Sequence, residues 1–162
     1  MAKFQVGKGL DEYLQKLGNL EFRCPEVLGK ATYQGAKIVA DQIHANIAAL
    51  PVSDSKSGRQ GRRNPTQVEK DGLLAGLGIA KHRMEGGYYN VKIGMDGYNA
   101  DKTKKYPNGK PNAMIARSIE SGTSFQARIP FISRAVSATK AAAEAAMKAE
   151  VDKVITEIMG DG

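Results

Sequence analysis

The chain contains no tryptophan, one cysteine and no long apolar run, and each of these scarcities excludes a class of protein. With Cys24 as the only cysteine, neither an intrachain disulfide nor a zinc site made of several cysteines can form. No apolar run approaches the length of a membrane span, and no apolar signal core follows the lysine near the N-terminus. We therefore expect a soluble protein that is made and kept in a cytoplasm, with no membrane partner.

Aromatic residues make up only 6% of the chain, so its core must consist largely of Leu, Ile, Val, Met and many Ala. A length of 162 residues is typical of one domain, and we treat residues 1–162 as a single domain. Helix contacts through small residues are expected. The net charge of +7 suits a polyanionic partner, but it serves solubility equally well. Charge alone therefore does not distinguish these two roles.

Two helical patterns occupy the first third of the chain. Apolar residues recur at helical spacing from Leu10 to Leu17, and Gly18 with Asn19 then forms a stop signal. A longer pattern begins at Pro25 and runs to Leu50. The sequence therefore predicts a short helix followed by a longer one.

Two polar, basic stretches, at about 52–65 and about 96–112, are expected to form flexible loops. Thr66 and Glu69 follow the first stretch at the spacing of a capping box, which predicts a short helix that ends near Gly76. Between this helix and the second loop, two apolar runs flank Glu85-Gly86-Gly87. The alternation of Tyr89, Val91, Ile93 and Met95 with other residues predicts a β-hairpin with one buried face.

The most specific part of the sequence is a corner between two helices, from Ala113 to Val136. Gly122 lies where a left-handed helix C-cap is needed, because a residue with a Cβ would be strained there. Pro130 has the fixed φ of a helix's first turn, and Phe131 begins an apolar pattern that continues to about Met159. Alanine is the strongest helix former. Ala135, Ala138, Ala142, Ala145, Ala146 and Ala149 are expected to supply a packing face.

No catalytic or metal-binding constellation is apparent, so we expect no catalytic residue, no metal ligand and no cofactor. His44 and His82 lack further ligands at metal spacing and are interpreted as ordinary surface or partly buried residues. Cys24 precedes a predicted helix start, where a helix dipole could lower its pKa, but a small apolar role is the simpler reading. The stretch Ser121 to Ser124 could cradle an anion, although a helix cap fits it better.

The basic residues of the two loops are the remaining candidates for contact. They could touch DNA phosphates or an acidic neighbouring subunit, or they could simply be solvated loop charges. Tyr98 and Tyr106 could stack on bases, yet no known nucleic-acid motif accompanies them. The candidate contact residues are Lys56, Arg59, Arg62, Arg63, Lys102, Lys104, Lys105 and Lys110.

The corner also carries a resemblance to a known family. Ile115-Ala116, then Ile119 to Ser124, then Ala127 to Ile132 followed by Ala135, resemble the signature of the gp10-like neck and tail-completion proteins of long-tailed bacteriophages. The order of the remaining elements agrees with the same plan along almost the whole chain. The loop at 53–64 is longer than the compact segment usual in the family, and a second proline often found near the Phe is missing.

The resemblance implies an α+β subunit that assembles as a ring, of six copies, at the junction between the phage head and tail. Its partners would be head-completion, tail-terminator or tail-tube proteins, and the packaged DNA would pass through the ring. Family members have no catalytic residues. In this reading Glu120, Gly122, Thr123, Pro130 and Phe131 are architectural, with Glu120 and Thr123 fixing the corner and Phe131 anchoring the last helix.

We therefore expect an α+β fold in which a small antiparallel sheet with a β-hairpin packs against N-terminal helices and a long C-terminal helix. The leading functional hypothesis is a non-enzymatic virion assembly protein, found in the host cytoplasm before assembly and at the head–tail junction afterwards. The alternative is a basic accessory protein that binds DNA through its Lys- and Arg-rich loops.

Overall fold

A computed structural model of the chain describes residues 8–53 and 62–160 and confirms the expected α+β class. Long helices lie at the two ends of the described sequence, and short strands and short helices lie between them. Over these residues the elements are α1 (Lys8–Ala48), α2 (Gln67–Gly76), β1 (Leu77–Ile79), β2 (Arg83–Glu85), β3 (Tyr88–Asn90), β4 (Ile93–Met95), α3 (Asn112–Ser121) and α4 (Phe131–Met159).

The first third of the chain forms one helix, so the prediction of two separate helices was wrong. Gly18 ends a helix only if it leaves helical geometry, and here its backbone stays helical. Pro25 lies inside α1 and removes one helical hydrogen bond, the one to the carbonyl of Glu21. Glu21 is exposed, so water can bind the freed carbonyl. Cys24 therefore lies exposed within a helix, and its predicted position at a helix start was wrong.

The long helices α1 and α4 pack side by side through small residues, as the composition predicted. Ala31 and Ala40 of α1 and Ala135 and Ala143 of α4 are buried. At Gly35 of α1 an added Cβ would lie 2.8 Å from Cγ of Met147, so a larger residue there would force the Met147 side chain to shift.

The expected packing face of α4 is only partly correct. The buried residues Phe131, Ala135, Thr139 and Ala143 recur every four positions, which is the single stripe that meets its neighbours. Because one such contact buries one stripe, four of the other five expected alanines turn outward, and Ala146 is half-buried. Ala138, Ala142, Ala145 and Ala149 are exposed.

The predicted short helix is confirmed as α2, together with its capping box. The hydroxyl oxygen of Thr66 accepts a hydrogen bond from the backbone N–H of Glu69 at 3.2 Å. In return, Oε2 of Glu69 accepts one from the backbone N–H of Thr66 at 3.0 Å. The backbone N–H groups of Thr66 and Glu69 would otherwise be unpaired donors at the helix start.

The predicted hairpin is confirmed in connectivity but consists of two short ladders. The inner ladder pairs β1 with β4, and the outer ladder pairs β2 with β3 around Gly86 and Gly87, both at positive φ. Met95 at the base is buried, whereas all of β2 is exposed. The expectation of one buried face was therefore wrong for the outer ladder, because the core does not extend beyond the inner ladder at Ile93.

The loop at 96–112 is closed by a buried asparagine. Oδ1 of Asn99 accepts backbone hydrogen bonds from Lys110 at 2.8 Å and from Asp101 at 3.2 Å. A Cβ on Gly109, which has a φ of +99°, would lie 1.9 Å from the carbonyl oxygen of Asn99, so only glycine fits there. The loop therefore folds back on itself. Much of the other predicted loop, residues 54–61, lies outside the described residues.

Candidate functional site

The corner between α3 and α4 is held by a carboxylate that caps the second helix. Pro130 is the N-cap residue of α4 and offers no side-chain hydrogen bond. Glu120, at the end of α3, takes that role, because its oxygens accept the backbone N–H groups of Ile132 at 2.8 Å and Ser133 at 3.0 Å. The hydroxyl of Ser133 also donates to Glu120 at 2.6 Å. One side chain thus satisfies two donors that a helix start leaves unpaired.

The pKa of Glu120 is lowered below its ordinary value. Partial burial alone would raise the pKa, but the hydrogen bonds from Ser133 and Ile132 and the charge of Arg128 favour the carboxylate and outweigh burial. At neutral pH the capping group is therefore an anion at a helix N-terminus, where the helix dipole also favours negative charge.

Gly122 and Thr123 turn the chain immediately after α3. Gly122 has the positive φ that its missing Cβ predicted, +73°, but its ψ of 163° lies outside the left-handed helical region, so the predicted left-handed cap was wrong. An added Cβ would lie 2.9 Å from Cβ of Arg128. The hydroxyl oxygen of Thr123 accepts the N–H of Gln126 at 3.0 Å, and the N–H of Thr123 donates to the carbonyl of Gln126. The N–H of Thr123 is thus used inside the turn and is not available to an anion.

The end of the first basic stretch pairs with the corner as a short parallel β-bridge between Arg63 and Gln126. The N–H of Arg63 donates to the carbonyl of Phe125, and the N–H of Ala127 donates to the carbonyl of Arg63, both at 2.9 Å. These bonds hold the backbone of Arg63 and aim its side chain towards α2.

Arg63 forms a two-bond ion pair with Glu69, at 2.7 and 2.8 Å between nitrogens and oxygens. Lys110 lies 3.6 Å from Glu69 and 3.2 Å from Asp101, so the two loops and α2 meet in one charge cluster. Glu69 is 4% exposed. Burial acts to raise its pKa, yet the hydrogen bonds from Arg63 and Thr66 and the charges of Arg63 and Lys110 lower it overall.

The six basic loop residues that the structure describes differ in their surroundings. Arg63 and Lys110 are partly buried and paired with carboxylates, so their charges stabilise the fold. Lys56 and Arg59 lie outside the described residues. The four described residues that are exposed are Arg62, Lys102, Lys104 and Lys105, the last with its ammonium 5.5 Å from the centre of the Tyr106 ring.

A groove of about 570 Å³ lies beside the charge cluster, between α3, the corner and the loop at 96–112. We call it the Gln126 groove, and Tyr106, Lys110, Met114, Arg117, Phe125 and Gln126 line it. Gln126 is 2% exposed, and among the described residues its Nε2 has no hydrogen-bond acceptor. A buried amide donor without a partner is uncommon in native proteins.

Sequence reasoning did not find the Gln126 groove. Met114 of α3 is 40% exposed and lines the groove. The sequence around Gln126 gave no indication of a binding site. Nothing in it shows that a segment some sixty residues earlier pairs with this residue.

The structure places both histidines and the cysteine at the surface. His44 and His82 are exposed, and His82 lies between β1 and β2, against Gly29 of α1. Over residues 8–53 and 62–160, no three His, Cys, Asp or Glu side chains are placed to hold a metal ion. None of the helices in this same part of the chain is both long and apolar enough to cross a membrane.

Comparisons with protein-family models, with curated proteins and with solved structures find no match to this chain.

Proposed function

We propose that this chain is a structural virion protein at the head–tail junction of a tailed phage, where copies of it assemble into a ring. The corner sequence supports this reading through its resemblance to the gp10-like neck and tail-completion proteins. The structural observation that carries the proposal is an apolar stripe on α1 that no part of the described chain covers.

This stripe, which we call the α1 stripe, consists of Leu10, Tyr13, Leu14 and Leu17, which lie on one face of the helix. Each of these side chains is between 39% and 56% exposed. Further along the same helix, Val27 and Ala31 occupy the equivalent face and are buried. The face that is packed in the middle of α1 therefore continues, unpacked, towards its start.

The α1 stripe is exposed because α1 is longer than α4, the helix that packs against it. The ion pair between Arg23 and Glu157, at 3.7 Å, marks where the end of α4 meets α1. Residues 8–22 of α1 continue beyond that point for about 22 Å at 1.5 Å per residue. The α1 stripe lies within this overhang, from Leu10 to Leu17, and an exposed apolar surface of this kind is typical of one that another chain covers.

A ring accounts for such a surface because each subunit of a ring presents two different faces to its two neighbours. The α1 stripe would be one face of that contact. The exposed alanines of α4 offer no large side chain that would obstruct a close approach by a second copy. We infer a head-to-tail contact between copies in which the α1 stripe packs against a neighbouring subunit.

Charging the α1 stripe is expected to abolish self-association while the fold persists. In the double variant Leu14→Glu, Leu17→Glu, two exposed apolar residues become ionised, and Leu and Glu have similar helix propensities. Sedimentation velocity should show concentration-dependent oligomers for the original chain and a monomer of 17.4 kDa for the variant. The double variant Val52→Glu, Val68→Glu alters two similarly exposed residues away from the stripe and should associate like the original chain. If the original chain is monomeric at every concentration, self-association through this stripe is contradicted.

The DNA-binding alternative is supported by three exposed lysines of one loop, Lys102, Lys104 and Lys105. It is weakened by the ion pairs of Arg63 and Lys110, because a cation held by a carboxylate releases fewer counterions from DNA. We therefore keep DNA contact as a secondary role of a protein through which packaged DNA passes.

A further inference from the structure

The outer ladder of the hairpin, β2 with β3, has one face towards α1 and one face open. His82 lies against Gly29 of α1, and side chains alternate along a strand. Arg83 and Glu85, with Tyr88 opposite Glu85 in the register, therefore belong to the face turned away from α1. Two paired strands are only marginally stable in water unless a further element packs on them. The open face, which we call the hairpin face, is thus a surface that a neighbouring molecule can cover.

The hairpin face is basic and carries an exposed aromatic ring. A cleft of about 190 Å³ on this face is lined by three cations and by the single carboxylate of Glu85. The three cations are Lys81, Arg83 and Lys92. Lys92 lies 3.5 Å from Glu85, whereas Lys81 and Arg83 form no ion pair with any described residue. Because Tyr88 is 76% exposed, the face offers two unpaired cations beside an apolar ring.

The α1 stripe is flanked by the opposite charge. Asp11 lies three positions before Leu14, and Glu21 lies four positions after Leu17, so both carboxylates are neighbours of the stripe on the helix surface. Neither carboxylate forms an ion pair within the described part of the chain. Leu14 and Leu17 are 56% and 39% exposed. The stripe therefore matches the hairpin face in both respects, because it offers exposed apolar side chains between two carboxylates.

The two surfaces lie towards the same end of the molecule. Ile93, at the base of the hairpin, lines a cleft with Ile43 of α1, whereas His82 lies against Gly29. The hairpin therefore runs towards the start of α1. Leu17 is about 18 Å from Gly29 along the helix axis and about a third of a turn away around it. Because the hairpin face also points away from α1, a chain cannot dock its stripe on its own hairpin face, but a neighbouring copy can.

We propose that the α1 stripe of one copy docks on the hairpin face of the next copy. Leu14 and Leu17 pack on the ring of Tyr88. The two carboxylates that flank the stripe pair with Lys81 and Arg83. The contact joins two different surfaces, so it is head-to-tail, as the subunits of a ring require. That the copies form a ring rests on the proposed function, whereas the choice of the two surfaces rests on their charges and exposure.

Reversing the charges of the two surfaces tests this contact. The hairpin variant is Lys81→Glu, Arg83→Glu, and the stripe variant is Asp11→Lys, Glu21→Lys; all four positions are exposed. In sedimentation velocity at low salt, each variant alone should self-associate about tenfold or more weakly than the original chain, because like charges then face each other. An equimolar mixture of the two variants should associate like the original chain, because every contact between them again joins opposite charges.

The matched control reverses two cations elsewhere. Lys102→Glu, Lys104→Glu changes two exposed loop residues and should self-associate like the original chain. Failure of the mixture to restore association would overturn the proposal. Unchanged association of the hairpin variant would also overturn it, since the stripe would then meet another surface, such as the stripe of a second copy. An original chain that is monomeric at every concentration would do the same. The presence of the chain in virions is measured independently, so these results leave that part of the proposed function standing.

Discussion

Arg63→Met is expected to lower the free energy of unfolding by about 3–5 kcal/mol, the usual effect of removing one partner of a buried ion pair. The reason is that Glu69 is 4% exposed and would lose both hydrogen bonds from the guanidinium group. The carboxylate would retain only the N–H of Thr66 and the more distant Lys110. Urea denaturation of the two proteins gives the difference directly.

The neighbouring residue is the matched control. Arg62→Met makes the same change at an exposed site and should alter the free energy of unfolding by no more than about 0.5 kcal/mol. Equal effects of the two substitutions would contradict the assignment of Arg63 to the charge cluster.

The pH dependence of this difference follows from the lowered pKa of Glu69. A carboxyl group with a lowered pKa in the folded state contributes stability above its unfolded pKa of about 4.3, and that stability is lost as pH falls through the folded pKa. In the Arg63→Met variant, burial is no longer outweighed by the guanidinium, so ionised Glu69 destabilises the fold. The stability difference should therefore be largest at neutral pH and shrink below about pH 4. A difference that stays constant with pH would contradict this explanation.

Phe131→Ala is expected to lower the free energy of unfolding by about 3–5 kcal/mol, as for other buried aromatic residues. Phe131 is 2% exposed and belongs to the core formed with α1 and α3, so its removal leaves a cavity. Its carbonyl also accepts a hydrogen bond from Asn46, which keeps the backbone near α1 and limits collapse around the cavity.

Phe22→Ala is the control, because Phe22 is 87% exposed and should change the stability by no more than about 0.5 kcal/mol. Both variants are compared by urea denaturation at a concentration where the chain is monomeric. A loss below about 1 kcal/mol for Phe131→Ala would show that this residue does not anchor α4 in the core, since cavity formation costs more than that.

The features that were predictable from the sequence depend on neighbouring residues. The capping box of Thr66 and Glu69, the positive φ of Gly122 and the extent of α4 from Phe131 each follow from local chemistry. Pro130 was predicted in the first turn of α4, and the structure has it one residue earlier, as the N-cap of that helix. In these cases the backbone preference of one residue decides the geometry whatever the rest of the chain does.

The features that were missed depend on contacts between distant residues or on solvent. Gly18 and Pro25 end a helix only where other contacts make the chain turn. No such contacts occur in the exposed part of α1, so the helix continues through both residues. The bridge between Arg63 and Gln126 joins segments that share no local signal, and the Gln126 groove exists only because of that bridge. The charge cluster likewise required Lys110 to come close to Glu69 through the fold of a loop.

The proposal that this chain is a virion protein of the head–tail junction is best tested by quantitative mass spectrometry of purified particles. The particles are prepared from a tailed phage or induced prophage whose genome includes this sequence, and copy number is measured against the portal protein. We expect the chain to be present at a few copies per particle, consistent with one six-membered ring. Its absence from purified particles that contain the portal and tail-tube proteins would contradict the claim.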